Sequence, residues 1–115
     1  MVPTTLSYAV RFVANMDEAI RFHEQQLGLK LRFRTADWSE FETGTTTLAL
    51  HLASKANPPG TSHVGFRIAD VDAFCRQAMH HGCMVVTQPV EMHGMRIARL
   101  VDPEGGEFTV SSGGA

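Results

Sequence analysis

Six histidines, His23, His51, His63, His80, His81 and His93, carry much of the chain's chemical potential. An imidazole can ligate a divalent metal or carry a proton near neutral pH. Strand alternation decides which of them can act together, because successive side chains on a strand point to opposite faces. In residues 62–69 the apolar set Val64, Phe66 and Ile68 sends His63, Gly65 and Arg67 to the other side. In residues 46–52, Leu48, Leu50 and Leu52 leave Thr47, Ala49 and His51 opposite, and in residues 107–111 the burial of Phe108 and Val110 leaves Glu107, Thr109 and Ser111. Near the start, Val13 belongs with the apolar set, so Tyr8, Val10 and Phe12 share the parity of His63 and Arg11 falls on the core side. Two imidazoles, a guanidinium, a phenol and a carboxylate thus lie opposite the apolar faces, a set suited to metal ligation, proton transfer or anchoring a polar ligand.

The other histidines have plainer readings. His23 lies in an apolar helical stripe as a packed core-edge residue, and His80 and His81 close a helix where the dipole favours a partly protonated imidazole. His93, beside Gly94, reads as a solvated loop residue, and a facing pair of histidines is more often a polar patch than a metal site. Trp38, the single tryptophan, suits either ligand stacking or the core.

These residues need elements to hold them. A chain of 115 residues has room for one compact domain, and 43% hydrophobic with 19% charged residues is the composition of a folded globule. Scattered charges with a net charge of −2 leave no basic stripe for nucleic acid, and no apolar run is long enough to span a membrane, so neither is expected as a partner. The opening residues lack a secretory pattern, and Cys75 and Cys83 fit no disulfide framework or zinc-ribbon spacing, so a cytoplasmic protein with reduced thiols is expected.

Asn57-Pro58-Pro59-Gly60 breaks the chain near its midpoint, and an offset of 55 aligns Val13-Ala14-Asn15-Met16-Asp17 with Ile68-Ala69-Asp70-Val71-Asp72. Asn15 and Asp70 are the helix caps. Apolar stripes follow, Met16, Ala19, Ile20, His23 and Leu27 up to Gly28, and Val71, Phe74, Cys75, Ala78 and Met79 up to Gly82. Period-two segments then follow each helix, at 29–34, 38–42 and 46–52, and at 83–88, 96–101 and 107–111, with a type I turn at Asp102-Pro103-Glu104-Gly105. Both halves read β-α-β-β-β, with module one at about 5–53, a linker at 54–61 and module two at about 62–111, within a single domain over 1–115.

This paired pattern, with the Phe22 to Leu29 helix end and Asp102 to Gly105 as its most specific parts, resembles the vicinal oxygen chelate superfamily of glyoxalases, bleomycin-resistance proteins and extradiol dioxygenases. The resemblance spans about Leu6 to Val110. It implies an α+β fold of two βαβββ modules forming a curved mixed sheet around a concave cavity, commonly in a homodimer. It also implies metal ligands from the first, fourth, fifth and eighth strands, where this chain has Tyr8, His51, His63 and Thr109. A phenol and a threonine hydroxyl are poor ligands, which leaves two good ones where catalytic zinc normally takes three. A bulge at Gly105-Gly106 would bring Glu107 into the place of Thr109, from which it is otherwise separated by roughly 6.6 Å, two strand residues.

Two functions follow from the resemblance. The first is a protein that binds a small organic molecule through Tyr8, Phe12, Trp38, His51, His63, Arg67 and Thr109, with no cofactor. The alternative is a glyoxalase-like lyase or isomerase, with His51, His63 and Glu107 holding zinc, nickel, manganese or iron to stabilise an ene-diolate. Its proton-abstracting base would be Glu107 or a cavity carboxylate such as Glu40.

Overall fold

Two side-chain caps start the two helices. In the computed structural model, which describes residues 4–113, Asn15 Oδ1 accepts from the Glu18 backbone N–H and Asp70 Oδ1 from that of Ala73, both at 3.0 Å. Each cap satisfies an N–H that has no partner within its helix. They open α1 (Met16–Gln25) and α2 (Val71–His80). Strand β1 (Thr5–Val13) precedes α1, and β2 (Lys30–Arg34), β3 (Trp38–Glu42) and β4 (Thr47–Leu52) follow it. Strand β5 (Ser62–Arg67) precedes α2, and β6 (Met84–Met92), β7 (Met95–Val101) and β8 (Glu107–Ser111) follow. The fold is α+β, a βαβββ succession made twice from parallel and antiparallel strands. The chain divides into two compact units, residues 8–62 and residues 63–113 together with 4–7. No helix among the described residues is long and apolar enough to cross a membrane.

In the first unit the strand order is β2-β3-β4-β1, with β1 parallel to β4 and β3 antiparallel to its two neighbours. Met16 and Ile20 of α1 pack on Phe41 and Leu50, with Val13, Leu29 and Leu48 beside them. Val10, Phe12 and Ala49 form a second apolar cluster with Tyr8 and Trp38, as the alternation of β1 and β4 requires. Arg11 is exposed, and its Nε donates to Ser62 Oγ at 3.2 Å, which is how a charge on the core-side parity is accommodated. His23 lies against the core as expected, its ring stacked 5.5 Å from Phe41 and its Nδ1 2.7 Å from the Ala19 carbonyl. The apolar stripe, however, does not reach Leu27. The helix ends at Gln25, Gly28 turns the chain at a φ of 68°, and Leu27 is exposed while Leu29 takes the core position.

In the second unit the order is β5-β8-β7-β6, with β5 parallel to β8 and β7 antiparallel to β8 and β6. Val71, Cys75 and Ala78 of α2 pack on Ala98, Leu100 and Val110, and Phe66, Phe74 and Phe108 close over them in edge-to-face contacts. Met79, expected in this stripe, is exposed. Cys75 and Cys83 are free thiols, and burial pushes the Cys75 thiol up from its ordinary value.

Strand β6 also runs beyond the expected 83–88, through Pro89 to Met92. As the last strand in the order it can hold a proline, which has no N–H to give a ladder, and the register shifts on either side of Thr87 accommodate it. The β6–β7 turn is His93-Gly94, with φ of 53° and 77° between the paired Met92 and Met95. Two left-handed residues match the type I′ geometry that a two-residue hairpin prefers.

The repeat extends to charge. Asp17 and Asp72, equivalent under the offset of 55, each take an arginine from a strand of their own unit, Arg34 at the end of β2 and Arg96 at the start of β7. Arg96 grips Asp72 with two bonds of 3.0 Å, and this hydrogen bonding holds the Asp72 carboxyl below its ordinary value near 3.8. The β7–β8 turn is held by Asp102. The Gly105 N–H donates to the Asp102 carbonyl at 3.0 Å, while Asp102 Oδ1 accepts from Glu104 and Gly106 N–H at 2.9 and 2.8 Å.

Two outcomes follow. A carboxylate held low in the folded state stabilises it above the unfolded pKa, and that stability is lost as pH falls through the folded one. Asp72→Asn should therefore be less stable than the wild type above pH ~5, with the gap closing on acidification below about 3.8, in urea titrations across pH; a pH-independent gap would contradict the ion pair. Asp102→Ala leaves two turn N–H groups to solvent and should cost about 1 kcal/mol in the same assay, with an unchanged urea midpoint as the opposing result.

Candidate functional site

Register brings one set of side chains together on the first unit's sheet, on the face away from α1. Tyr8, Val10 and Phe12 of β1 lie beside Thr47, Ala49 and His51 of β4, and Glu40 and Trp38 of β3 lie beside Ala49 and His51. On β2 the register shifts between Leu31 and Phe33, which face Phe41 and Glu40, so Arg32 is the extra residue of a bulge. Following core-facing Leu31, Arg32 lies on the face of Glu40, and its guanidinium meets that carboxylate across the strand pair.

Glu40 is the centre of the set. It is only 6% exposed. Its Oε2 accepts from Trp38 Nε1 at 2.9 Å and from the Tyr8 hydroxyl at 3.4 Å, and its Oε1 accepts from Arg32 Nη1 at 3.2 Å. The same Arg32 nitrogen donates to Thr47 Oγ1 at 3.2 Å. Removing a carboxylate from water is costly unless a counter-ion and hydrogen bonds replace the water, and these contacts do so. The rings around it meet edge to face, Trp38 with Tyr8 at 6.0 Å and with His51 at 5.7 Å, while Phe12 tilts against His51 at 5.2 Å. His51 Nδ1 lies 2.7 Å from the Leu52 carbonyl, to which only a protonated nitrogen can bond. A neutral His51 therefore offers the lone pair of Nε2.

The remaining sequence-derived residues belong to the second unit. Arg67 pairs in register with Ser111, Gly65 with Thr109, Thr109 with Arg99 and Glu107 with Val101. His63 is half-buried on β5. Glu107 is ion-paired with Arg99. The bulge at Gly105-Gly106 that would move Glu107 into the place of Thr109 is not formed: β7 and β8 pair without a register shift, and the Gly106 carbonyl instead accepts the Asp102 N–H at 2.8 Å. Among the described residues no group of three or more His, Cys, Asp and Glu side chains is placed to hold a metal ion. The donors among the described residues do not fit a three-ligand centre. His80, His81 and His93 are exposed, at the end of α2 and in the β6–β7 turn.

Alternation puts Tyr8, Phe12 and His51 on one face, as the register has them, but it was not followed to two arginines. Arg32 had a signal, since it follows Leu31 of the core and alternation therefore puts it on the face of Glu40; the bulge beside it had none. Arg99 had one, since alternation from Ala98 and Leu100 of the core puts it on the face of Thr109 and Glu107.

The chain belongs to the glyoxalase/bleomycin resistance protein/dioxygenase superfamily, whose family model matches residues 5–110. It is 35% identical over 92 residues to an uncharacterized protein of Mycolicibacterium smegmatis, covering 79% of this chain and 78% of that one. Among solved structures it is similar to a hypothetical protein of Bacillus halodurans C-125, with a TM-score of 0.79 at 16% identity over 96% of this chain and 94% of that one. It is also similar to Streptomyces coelicolor methylmalonyl-CoA epimerase in complex with 2-nitronate-propionyl-CoA, with a TM-score of 0.78 at 18% identity over 96% and 97% of the two chains. At these identities the solved structures define the fold.

The donor geometry makes a prediction about metal. Dialysed protein should retain well under one equivalent of zinc, nickel, manganese or iron by elemental analysis, and Glu107→Gln should leave that content unchanged. Stoichiometric metal that survives dialysis and vanishes in Glu107→Gln would contradict it.

Proposed function

We propose that the protein binds a small organic molecule on the helix-free sheet face of its first unit, with Tyr8, Phe12, Trp38 and His51 as the contacts. The observation that carries this reading is the aromatic and polar set gathered around buried Glu40 on a sheet face that no helix of its unit covers. Binding sites are mostly apolar and aromatic with a few fixed polar groups, and this set has that character. The tilted rings of Phe12 and His51 supply apolar surface, and His51 Nε2 supplies an acceptor for a ligand O–H or N–H.

The lyase alternative requires a third metal ligand and a free carboxylate base. The pairing of Glu107 with Arg99, and of Glu40 with Arg32, Trp38 and Tyr8, favours binding over that chemistry. A homodimer in the cytoplasm completes the proposal. Strand β6 exposes Met84, Val86, Val90 and Met92, apolar surface that a second copy would cover. The free thiols of Cys75 and Cys83 suit a reducing compartment.

Trp38 is the only tryptophan, so its fluorescence reports on this face alone. A panel of metabolites and antibiotics screened by thermal shift should yield ligands that raise the melting temperature and also change Trp38 emission. For such a ligand, Trp38→Ala should weaken binding by about 2 kcal/mol, roughly 30-fold in calorimetry, as loss of an aromatic anchor does. Stabilising ligands that leave Trp38 emission untouched and bind Trp38→Ala normally would overturn the assignment.

A further inference from the structure

A carboxylate in a binding site can act on the ligand or on the protein, and the hydrogen-bond inventory of Glu40 separates the two. Both of its oxygens already accept protein donors, Oε2 from the Trp38 indole and the Tyr8 phenol, and Oε1 from Arg32. The donors come from β3, β1 and β2, and through Arg32 the chain of bonds continues to Thr47 on β4, so every strand of the unit is tied to this group. Withdrawing the carboxylate towards a ligand would strip the indole N–H of its acceptor and part Arg32 from its counter-ion, at a position where little water enters. We infer that Glu40 is a positioning residue, whose carboxylate, held by Arg32, fixes the Trp38 indole and the Tyr8 phenol as one pre-organised wall for the ligand.

This rests on the proposed binding role of that face, but it makes its own demand on the ligand-free protein. An indole has an N–H donor and no acceptor, so its orientation in the plane of the ring depends on what receives that proton. Trp38 packs edge to face with Tyr8 and His51, and among the described residues no ring is stacked flat upon it. The bond to Glu40 is therefore the directional contact that sets the ring. Fixing the wall before the ligand arrives removes an ordering cost from binding.

The test is made without ligand, so that its failure is separate from a failure to bind. Glu40→Ala should raise acrylamide quenching of Trp38 fluorescence at least about threefold and abolish the near-ultraviolet circular dichroism of the indole, while the far-ultraviolet spectrum and a cooperative melting transition persist. Glu40→Gln, which keeps one acceptor oxygen for the indole but turns an amide NH2 towards Arg32, should restore both Trp38 signals in part. Unchanged Trp38 signals in Glu40→Ala would overturn the inference, as would failure of Glu40→Gln to restore any part of them. Should Glu40→Ala not fold, the wild type decides: an indole N–H resonance protected from solvent exchange upholds the bond, and one exchanging as fast as free indole refutes it.

Discussion

A strand offers each side chain one of two faces, and covering one face with a helix fixes what the other must carry. In the first unit Met16 and Ile20 of α1 claim Phe41 and Leu50, so the intervening residues of β3 and β4, among them Glu40, Ala49 and His51, turn the opposite way. The second unit obeys the same constraint, with Val71, Cys75 and Ala78 of α2 claiming Ala98, Leu100 and Val110 and leaving Arg99, Thr109 and Ser111 opposite. A shift of one residue in register would exchange core for polar face throughout a unit, so the helix caps at Asn15 and Asp70 bear indirectly on where the chemistry lies.

On the helix-free face of the first unit the dominant problem is a buried negative charge. Arg32 answers it with charge, Trp38 and Tyr8 with hydrogen bonds, and the result ties four strands through one carboxylate. An arrangement of this kind orders the side chains around it, because any departure leaves a polar group unpaired in a poorly solvated place. On the binding role proposed above, what it supplies is a pre-organised aromatic wall. Family membership sets the fold and leaves the ligand to be read from such details.

Much of this was legible in the sequence. The repeat, both caps, the Asp102 turn and the parity of Tyr8, Phe12, His51 and Arg67 all follow from local rules of spacing and hydrogen bonding, and the structure has them. The misreadings share a cause. Leu27 and Met79 continue an apolar period past the point where packing stops rewarding it, and Pro89 is tolerated because β6 is the last strand in its order. Arg32 bonds to Glu40 across the β2–β3 pair beside a bulge, and Glu107 pairs with Arg99 across two strands. Those features depend on which strands are neighbours and in what register, and that information is not local to any stretch of the chain.

The central claim is that the polar and aromatic face of the first unit receives the ligand. Amide chemical-shift mapping of the isotopically labelled protein, titrated with a ligand that stabilises it in the thermal screen, tests this most directly. The largest shifts should centre on Tyr8, Trp38, Glu40, Ala49 and His51 and include the Trp38 indole N–H. Shifts confined to β6 and the surface of α2, with those five residues and the indole unmoved, would contradict it.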